Sequence, residues 1–546
     1  MKDLAPDGIL DLSTNTSEGN SRIRTSAPGN CFIILHHSPL EIEVEAGGHV
    51  LQRFNARHLL NFEQYRTRDA APRPRPVDAT DIDATDLWEE RFGEHLDSKP
   101  RGPAAVGIDI TFVCAPVLVG LAEHATKLHL AAPNFTEPYR LYNLDVFEYE
   151  VDTPMGLYGN VPMITAVHRW PEGGGVMASG LLFLNPSEGF VKVEGPHGGP
   201  TSIGDTNTWW LFESGVLDIF SFAGPSPEAV LRQYHSVTGL PRLPPLAALG
   251  KHQSRWNYVD VEDVVQVDKG FDKHGIPYDF IWLDLEHTDA KKYFTWHPKH
   301  FADPGLMLDT LGRSHRKVVT IIDPHVYSDA NYTIFARLKR ADVFTRASNG
   351  MEYEGFCWPG PSRYPDFCNS VARAEWAKLF SPSVYNHSRP ELYTWNDMNE
   401  PSVFNGPEIS MPRDNLHKCE SDNFSIEHRD IHNLYGFYHH EASVQGQLLR
   451  EPNVRPFVLT RSFFAGSHRH GPVWTGDNMA RWDHLARSVP MLLSLALCGL
   501  SLAGADVGGF MGDPDRELFV RWHQLGVWYP FYRGHAHLIT KRREPW

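Results

Sequence analysis

The chain of 546 residues has little of what metal-binding and nucleic-acid-binding proteins require. None of its six cysteines forms a CxxC pair, and none has histidines at zinc-ligand spacing, so we expect no metal site and no cofactor. Its 51 basic residues are outnumbered by 67 acidic ones, for a formal net charge of −16. A nucleic acid or an anionic membrane needs a clustered positive face, and both are therefore disfavoured as partners.

Long hydrophobic runs are also scarce. No apolar run follows residues 1–7, so the sequence has no signal-peptide pattern. The most hydrophobic stretch, residues 489–503, is too short to span a bilayer and predicts a buried helix followed by a core strand. The pattern breaks off at Trp546, and we expect a fragment of a longer chain.

The sequence leaves the state of the cysteines open. Cys357 and Cys368 are close enough in sequence to form a disulfide under a loop, and they fit equally well as free thiols, because sequence alone does not give the distance between them. Five N-x-S/T sequons hint at a secretory compartment; they start at Asn15, Asn134, Asn331, Asn386 and Asn423.

The rhythm of the sequence changes at a Pro-rich boundary, residues 240–245. Residues 1–30 are polar and predict a disordered segment, and residues 72–86, rich in Pro, Arg and Asp, predict an exposed loop. Between residues 31 and 238, short runs with alternating hydrophobicity, such as residues 41–45, predict an antiparallel β-sandwich. A helix over residues 227–237 ends this part.

Residues 239–546 alternate strands with helices, which predicts a parallel sheet and, with polar residues at the strand ends, a (β/α)₈ barrel. Helices are predicted over residues 260–274 and 430–450. The interval 325–390 is too long for a connector and predicts an inserted subdomain. We find seven strands and expect the eighth beyond Trp546, which would leave the barrel incomplete; the seven runs are residues 246–250, 279–283, 317–322, 392–395, 457–460, 473–474 and 500–503.

Two acidic loops carry the chemistry. The run Trp-Asn-Asp-Met-Asn-Glu-Pro-Ser places Asp397 and Glu400 directly after a strand, and Asp477 follows Trp474 after another. A single acid at a strand end is more often a cap or a surface group. Two of them beside indole rings, in a chain with 15 Trp, indicate cleavage of a glycosidic bond by a pair of carboxyl groups.

With these motifs placed, residues 31–546 resemble the family 31 glycoside hydrolases. The resemblance is carried by an ordered set of motifs: Pro-Tyr-Arg-Leu-Tyr-Asn-Leu-Asp-Val-Phe from residue 138, His-Gln-Ser-Arg-Trp-Asn-Tyr from 252, Trp-Leu-Asp-Leu-Glu-His from 282, the run around Asp397, Asn-Gly-Pro-Glu from 405, and Arg-Ser-Phe-Phe-Ala-Gly-Ser from 461. It implies retaining hydrolysis by double displacement.

The resemblance also implies roles at the reacting centre. Asp397 matches the nucleophile, Asp477 the general acid/base, and Glu400 a carboxylate that supports the nucleophile loop. Arg461 matches a sugar-binding arginine that would keep nearby carboxylates charged, and Asp506 is expected to orient it.

Other matches would bind the sugar. Asp145, Asp284 and His535 match residues that hydrogen-bond its hydroxyls, and Asp145 would bring the sandwich domain into the pocket. The sequence alone leaves an alternative open for three of these residues: His535 as a structural histidine, Arg461 as a salt-bridge partner and Trp474 as a core residue. The remaining substrate-binding matches are Leu285, Trp358, Trp395, Met398, Trp474 and Phe510, most of them in an apolar wall.

The resulting expectation is an exo-α-glucosidase that removes terminal α-linked glucose, with α-1,3-linked glucose of N-linked glycans as the substrate. Three alternatives stay open: a neutral α-glucosidase acting on maltose-like or glycogen-derived oligosaccharides, a catalytically inactive glycan-binding fragment, and a scaffold without a sugar site. The resemblance further implies the lumen of the endoplasmic reticulum, with the cytoplasm as the alternative location, and a non-catalytic regulatory β subunit as partner.

Overall fold

The structure, a computed structural model, describes residues 13–17, 19–24, 30–67, 88–130, 137–171, 175–196, 203–419 and 425–546. The N-terminal part contains two antiparallel sheets and a separate two-stranded hairpin, β7–β8. The larger has the order β1-β2-β3-β4-β5-β9-β15-β14-β11, with β6 also pairing β9, and the smaller has the order β10-β12-β13-β16. The strands of the N-terminal part are β1 Ser13–Ser17, β2 Asn20–Arg24, β3 Phe32–His37, β4 Leu40–Ala46, β5 His49–Phe54, β6 Asn61–Phe62, β7 Glu89–Phe92, β8 His95–Ser98, β9 Val106–Phe112, β10 Val117–Gly120, β11 Tyr139–Leu141, β12 Met163–Arg169, β13 Val176–Phe183, β14 Gly189–Glu194, β15 Thr206–Phe212 and β16 Ile219–Phe222.

The two sheets pack face to face, as the alternating sequence pattern predicts. In β15 the residues alternate between buried and half-buried, and its Trp210 stacks near Phe183 of the other sheet with ring centroids 5.5 Å apart. Of residues 1–30, for which disorder is predicted, the structure describes a hairpin of β1 and β2 whose second strand pairs with β3 at the edge of the larger sheet. Apart from Gly19 and Asn30, the rest of this segment lies outside the described residues, as does the predicted loop 72–86.

A helix and a Pro-rich turn connect the sandwich to the barrel. Helix α1, Pro227–Thr238, begins with Pro at its first position after Ser226, whose hydroxyl accepts a hydrogen bond from the Ala229 amide. The strand predicted over residues 246–250 is wrong: Leu246–Leu249 form a 3₁₀ turn, and the strand begins at Lys251. Pro245 directly before the turn favours this geometry, and the apolar residues of the turn mimic a strand in sequence.

The second part is a parallel sheet of eight strands with helices between several of them. The predicted α/β fold class, an N-terminal β-sandwich followed by a (β/α)₈ barrel, is confirmed. Asp260 caps the helix predicted over residues 260–274, and the second predicted helix, over residues 430–450, is divided by a 3₁₀ turn. The barrel strands are β17 Lys251–Gln253, β18 Phe280–Leu283, β19 Lys317–Ile321, β23 Leu392–Asn396, β26 Val458–Thr460, β27 Val473–Trp474, β28 Ala503–Gly504 and β29 Tyr532–Gly534, and the helices are α2 Val261–His274, α3 Pro304–Arg313, α4 Thr333–Arg340, α5 Ser370–Lys378, α6 His428–Ile431, α7 Tyr435–Arg450, α8 Trp482–Leu497 and α9 Arg516–Gly526.

The expectation that the eighth strand lies beyond the chain is wrong. β29 pairs with β17 in parallel, and the sheet nearly closes at β28, because the Phe531 amide donates to the Ala503 carbonyl and the Val507 amide to the Arg533 carbonyl. A strand of three residues is too short to produce a recognisable hydrophobic period, which is why the sequence pattern missed it. No helix of the described residues is long and apolar enough to cross a membrane.

The interval between β19 and β23 contains helices α4 and α5 and a small sheet of order β20-β22-β21, formed by Val326–Tyr327, Gly360–Arg363 and Gly355–Cys357. The possible disulfide between Cys357 and Cys368 is not formed. Cys368 is instead bonded to Cys419, 51 residues away, and Cys357 is a buried free thiol. The bridge connects this interval to the short hairpin of β24, Leu416–His417, and β25, Ile426–Glu427.

Candidate active site

The predicted site residues gather at the carboxyl ends of the barrel strands. Asp284 follows β18, Asp397 follows β23 and Arg461 follows β26. Asp477 and Asp506 follow β27 and β28 by two to three residues, and His535 follows β29. Parallel strands place all their carboxyl ends on one face of a barrel, so residues far apart in sequence meet there.

Arg461 is the centre of the site. Its guanidinium forms a bidentate pair with Glu400, at 2.8 and 2.9 Å. Its Nε also lies 2.9 Å from an oxygen of Asp397, and its nitrogens lie 3.6 Å from Asp477 and 3.4 Å from Asp145. Four carboxyl groups therefore share one cation, and they cannot all be ionised at low cost in a buried site.

The exposure of these side chains distinguishes the mouth of the pocket from its floor. The side chains of Asp145, Asp397 and Asp477 are 12–14% exposed, whereas those of Glu400 and Asp506 are at most 1% exposed. The first three carboxyl groups can reach a ligand, and Glu400 lies behind them. Glu400 thus positions Arg461 instead of contacting a ligand itself.

The two predicted catalytic carboxyl groups differ in environment. Burial raises the pKa of Asp477 well above its usual value, opposed by Arg461 and reinforced by Asp397. Burial also raises the pKa of Asp397, but Arg461 lies closer to it and its own oxygen accepts the Met398 amide at 2.8 Å. The order of the two pKa values therefore favours a protonated Asp477 beside an ionised Asp397.

Asp145 reaches the site from the sandwich part. It lies four residues after β11, and its second oxygen accepts a hydrogen bond from the Ser402 hydroxyl at 2.8 Å. Ser402 belongs to the same loop as Asp397. The two parts of the chain therefore meet at the mouth of the pocket.

Asp284 and His535 form a second polar group. One oxygen of Asp284 accepts the Leu285 amide at 2.7 Å, and the other lies 3.6 Å from Nε2 of His535. Nδ1 of His535 is hydrogen-bonded to Ser254, at the end of β17. Burial raises the pKa of Asp284 well above its usual value, opposed by the Leu285 amide, and burial lowers that of His535.

The predicted apolar wall is a continuous series of rings. Trp474 packs edge-on against Trp395, which packs against His535, and Phe510 stacks on His535 with centroids 5.0 Å apart. His537 and Trp256 continue the series to the half-buried Trp358. Leu285 is buried beside Asp284, and the sulfur of Met398 lies 3.3 Å from Arg461.

The predicted partner of Asp506 is wrong. Asp506 does not contact Arg461; one of its oxygens accepts two hydrogen bonds from Arg533, at 3.0 and 2.7 Å. The Arg533 guanidinium also lies within 5.0 Å of the ring centroids of Trp282, Trp395 and Trp474. Sequence reasoning missed Arg533 because it belongs to the unrecognised strand β29.

Asp323 was also missed. It follows β19 by two residues, is fully buried, and accepts a short hydrogen bond from the Tyr293 hydroxyl, which also contacts His325. Burial and the neighbouring charge of Asp397 raise its pKa well above the usual value. An acid directly after a predicted strand was the available signal.

Among the described residues, no group of three or more His, Cys, Asp or Glu side chains is arranged to hold a metal ion.

Comparisons with known proteins decide the family. The profile of the glycosyl hydrolases family 31 TIM-barrel domain matches residues 241–546, and that of the glycosyl hydrolase 31 N-terminal galactose mutarotase-like domain matches residues 9–191. The chain belongs to glycosyl hydrolase family 31. The predicted resemblance is thus confirmed.

Family 31 members of high similarity include the neutral alpha-glucosidase AB of Mus musculus, 45% identical over 573 residues that cover 98% of this chain and 59% of the relative. A crystal structure of a glucosidase II alpha subunit, in an alpha3-Glc2-bound form, superposes with a TM-score of 0.90 at 42% identity, covering 98% of this chain and 57% of that one. An ER glucosidase II complex of the catalytic subunit with the binding domain of the regulatory subunit matches with the same TM-score at 43% identity, covering 98% and 58%. The chain therefore spans less than two thirds of these relatives.

Proposed function

We propose that this chain carries the active site of a retaining exo-α-glucosidase that removes terminal α-linked glucose. The observation that carries the proposal is the pair Asp397 and Asp477 on one guanidinium, whose nitrogens lie 2.9 Å from Asp397 and 3.6 Å from Asp477. Two carboxyl groups in neighbouring positions, one protonated and one ionised, are what retaining hydrolysis requires.

In the first step, an oxygen of Asp397 attacks the anomeric carbon and forms a glycosyl ester. Asp477 donates its proton to the glycosidic oxygen as the bond to the leaving sugar breaks. In the second step, Asp477, now ionised, takes a proton from water, which attacks the anomeric carbon and releases Asp397. The product keeps the α configuration because two inversions occur at one carbon.

Arg461 and Glu400 would hold this pair in place. The bidentate contact with Glu400 orients the guanidinium, and the guanidinium lies closer to Asp397 than to Asp477. A nearer cation stabilises the ionised form of the nucleophile more strongly than that of the acid.

The pocket suits one terminal sugar. Its mouth is lined by acids that remain partly exposed, and its floor is buried, which fits a chain end better than the middle of a polysaccharide. Asp145, Asp284 and His535 would bind hydroxyls, and the wrong epimer would leave these buried groups unpaired. The apolar faces of the sugar would contact Leu285, Trp358, Trp395, Met398, Trp474 and Phe510.

The sandwich part, residues 31–238, and the barrel part, residues 239–546 with an inserted subdomain at 325–390, would act as one unit in this reaction. Asp145 supplies the reason, since it comes from the first part and pairs with Ser402 and Arg461 of the second. A substrate bound at the mouth would therefore contact both.

For the substrate we propose α-1,3-linked glucose of N-linked glycans in the lumen of the endoplasmic reticulum, with a non-catalytic regulatory subunit as partner. Support comes from the glucosidase II alpha subunit bound to an α-1,3-linked glucose disaccharide and from the heterodimeric ER complex, both similar to this chain over 98% of its length.

The experiment uses a nitrophenyl α-glucoside and the Asp397→Ala variant. The expected result is release of nitrophenol with α-glucose as the first anomer seen by NMR, and loss of activity in the variant. Release of β-glucose would contradict retention. No release from a folded chain that still binds a glucose-like iminosugar would favour an inactive glycan-binding protein, and faster turnover of maltose than of an α-1,3-linked disaccharide would favour a neutral α-glucosidase on maltose-like oligosaccharides.

A further inference from the structure

Three buried histidines form one continuous hydrogen-bonded chain beside the site. Nδ1 of His417 lies 2.8 Å from an oxygen of Asp366, and Nε2 of His417 lies 3.0 Å from Nδ1 of His428. Nε2 of His428 lies 2.8 Å from Nδ1 of His432, whose Nε2 lies 2.7 Å from the carbonyl oxygen of Asn143. All three histidines are fully buried. We call Asp366, His417, His428, His432 and Asn143 the histidine chain.

The histidine chain needs one more proton than three neutral imidazoles supply. It contains four hydrogen bonds, and each requires one proton between its two heavy atoms. Both ends, a carboxyl group and a carbonyl oxygen, are acceptors when the carboxyl group is ionised, and each neutral imidazole carries a single N–H. Four bonds and three imidazole protons leave one proton to be bound in addition.

The additional proton belongs at the Asp366 end. Asp366 is buried, and its second oxygen accepts the Lys418 amide at 2.6 Å, so that a donor faces each of its two oxygens when His417 donates to the first. A doubly protonated His417 would donate to Asp366 and to His428, and His428 and His432 would each donate through Nε2. Burial lowers the pKa of His428 well below the usual value and that of His432 to about 3, so these two rings stay neutral.

The surrounding charges agree with this location. Arg413 faces both His428 and His432, Arg429 faces His428, and Arg140 faces His432. The ring of Tyr142 stacks on His432 with centroids 3.8 Å apart, and Tyr435 packs edge-on against His428. These arginines face the middle and the Asn143 end of the histidine chain, and each of them is paired with carboxylates, namely Glu188, Glu408, Glu213, Asp97 and Glu427. Among the described residues, Asp366 is the one carboxylate that is hydrogen-bonded to the histidine chain itself.

Asn143 connects the histidine chain to the site. Its carbonyl oxygen accepts from His432, and its side-chain amide donates to Ser462, the residue after Arg461, at 2.8 Å. Asp145 lies two residues further along and contacts Arg461 itself. At the far end, the disulfide joins Cys368 and Cys419, each two residues beyond Asp366 and His417. One end is thus covalently held and the other carries Asp145.

We propose that the histidine chain holds one shared proton and, through it, positions the loop that carries Asp145 against Arg461. The proposal rests on the proposed function in one respect only, the role of Asp145 in sugar binding. His417, His428, His432 and Asp366 are positioning residues for that contact. Without this proton, one of the four hydrogen bonds cannot form and the loop is held less firmly.

The decisive variant is Asp366→Asn. Its amide would donate to Nδ1 of His417, and its carbonyl would accept from the Lys418 amide, so three neutral imidazoles would close all four bonds without an additional proton. We expect the wild-type KM for an α-glucoside to rise by about tenfold relative to that of Asp366→Asn as the pH is raised, with little change in kcat. Equal pH profiles would overturn the proposal.

A second variant breaks the chain in the middle. His428→Met removes two of the four bonds, and we expect KM to rise by about tenfold with kcat nearly kept. His440→Met is the matched control, because His440 is also fully buried and bonds only to the Val458 carbonyl. Equal effects of the two variants on KM would mean a general packing role and would overturn the proposal; if His428→Met does not fold, the Asp366→Asn comparison decides.

NMR of protein with nitrogen-labelled histidines measures which ring nitrogens are protonated, and this measurement does not depend on enzymatic activity. At neutral pH we expect both ring nitrogens of His417 to be protonated in the wild type and only Nε2 in Asp366→Asn. A singly protonated His417 in the wild type would overturn the proton count. Asp145→Ala separates the two proposals: if this variant binds a glucose-like iminosugar as tightly as the wild type, the sugar-binding role of Asp145 fails, whereas the NMR result stands.

Discussion

Two buried clusters of arginine and carboxylate side chains differ in how their charges balance. In the domain-junction network, Arg140, Arg413 and Arg429 contact five carboxylates, namely Glu188, Glu408, Glu213, Asp97 and Glu427. At the candidate site a single cation, Arg461, contacts four. The first cluster has three cations for five carboxylates, and the second has one cation for four.

This difference in charge balance indicates that the two clusters have different roles. Every arginine of the junction network contacts residues of both parts of the chain or bridges their carboxylates, so the network joins the sandwich to the barrel. Burial at the candidate site instead raises carboxyl pKa values, to about 7 for Glu400, with Asp145 and Asp397 adding to the rise and Arg461 opposing it. A cluster left short of cations costs stability, and such sites are where proton-transfer chemistry is found.

The largest expected effect is on activity, and it distinguishes the candidate site from the domain-junction network. Asp397→Asn should lower kcat/KM by about 10⁴-fold or more, because the nucleophile is lost, and should leave the melting temperature unchanged or higher, because one excess charge is removed. Asp97→Asn, at the junction, is the matched control and should lower the melting temperature with activity retained. Steady-state kinetics and thermal unfolding of both variants check this; a destabilised Asp397→Asn would contradict the comparison.

Asp477→Ala should have the next largest effect. Without an acid, cleavage of a disaccharide should fall by about 10²- to 10⁴-fold. A nitrophenolate leaves without protonation, so the first step should survive while water attack slows, and rapid mixing should show a burst of nitrophenol equal to the enzyme. Equal losses on both substrates would show that Asp477 is not the acid.

Breaking the junction should affect stability more than chemistry. Arg413→Met leaves two arginines for the five carboxylates of the network, so that Glu188, Glu213 and Glu408 each keep one arginine instead of two. We expect a loss of about 3–5 kcal/mol in the free energy of unfolding by urea. Arg232→Met, which removes an exposed helical pair with Glu228, is the control and should cost less than about 0.5 kcal/mol. Equal losses in the two variants would mean that burial of the junction network does not contribute to the free energy of unfolding.

The smallest effect concerns pH. Burial, opposed by Arg461, raises the pKa of Glu400 from 4.5 to about 7, so the folded chain binds more protons than the unfolded chain between these values. Stability from this group is complete below about pH 4.5 and is lost as pH rises through about 7, a change of up to about 3 kcal/mol. Glu400→Gln should flatten this part of the stability–pH curve; an unchanged curve would mean that Glu400 does not titrate there.

Much of the fold was predictable because local patterns specify it. Alternation of apolar residues indicated the sandwich, and the capped helix after Asp260 indicated the change to a barrel. The failures share a cause, namely elements with little local signal. Strand β29 has three residues, and the turn Leu246–Leu249 has the composition of a strand. The partner of Cys368 lies 51 residues away, a distance that no local pattern spans.

The sequence by itself determined the chemical groups available: acids after strands, indoles beside them, and motifs of family 31. Only the tertiary structure decided which groups meet. It assigned Glu400, not Asp506, to Arg461, gave Asp506 to Arg533, and joined three histidines into one chain. The physical reason is that hydrogen bonds and ion pairs act over a few ångströms, and the closure of a barrel, not the order of residues, brings the ends of distant strands within that range.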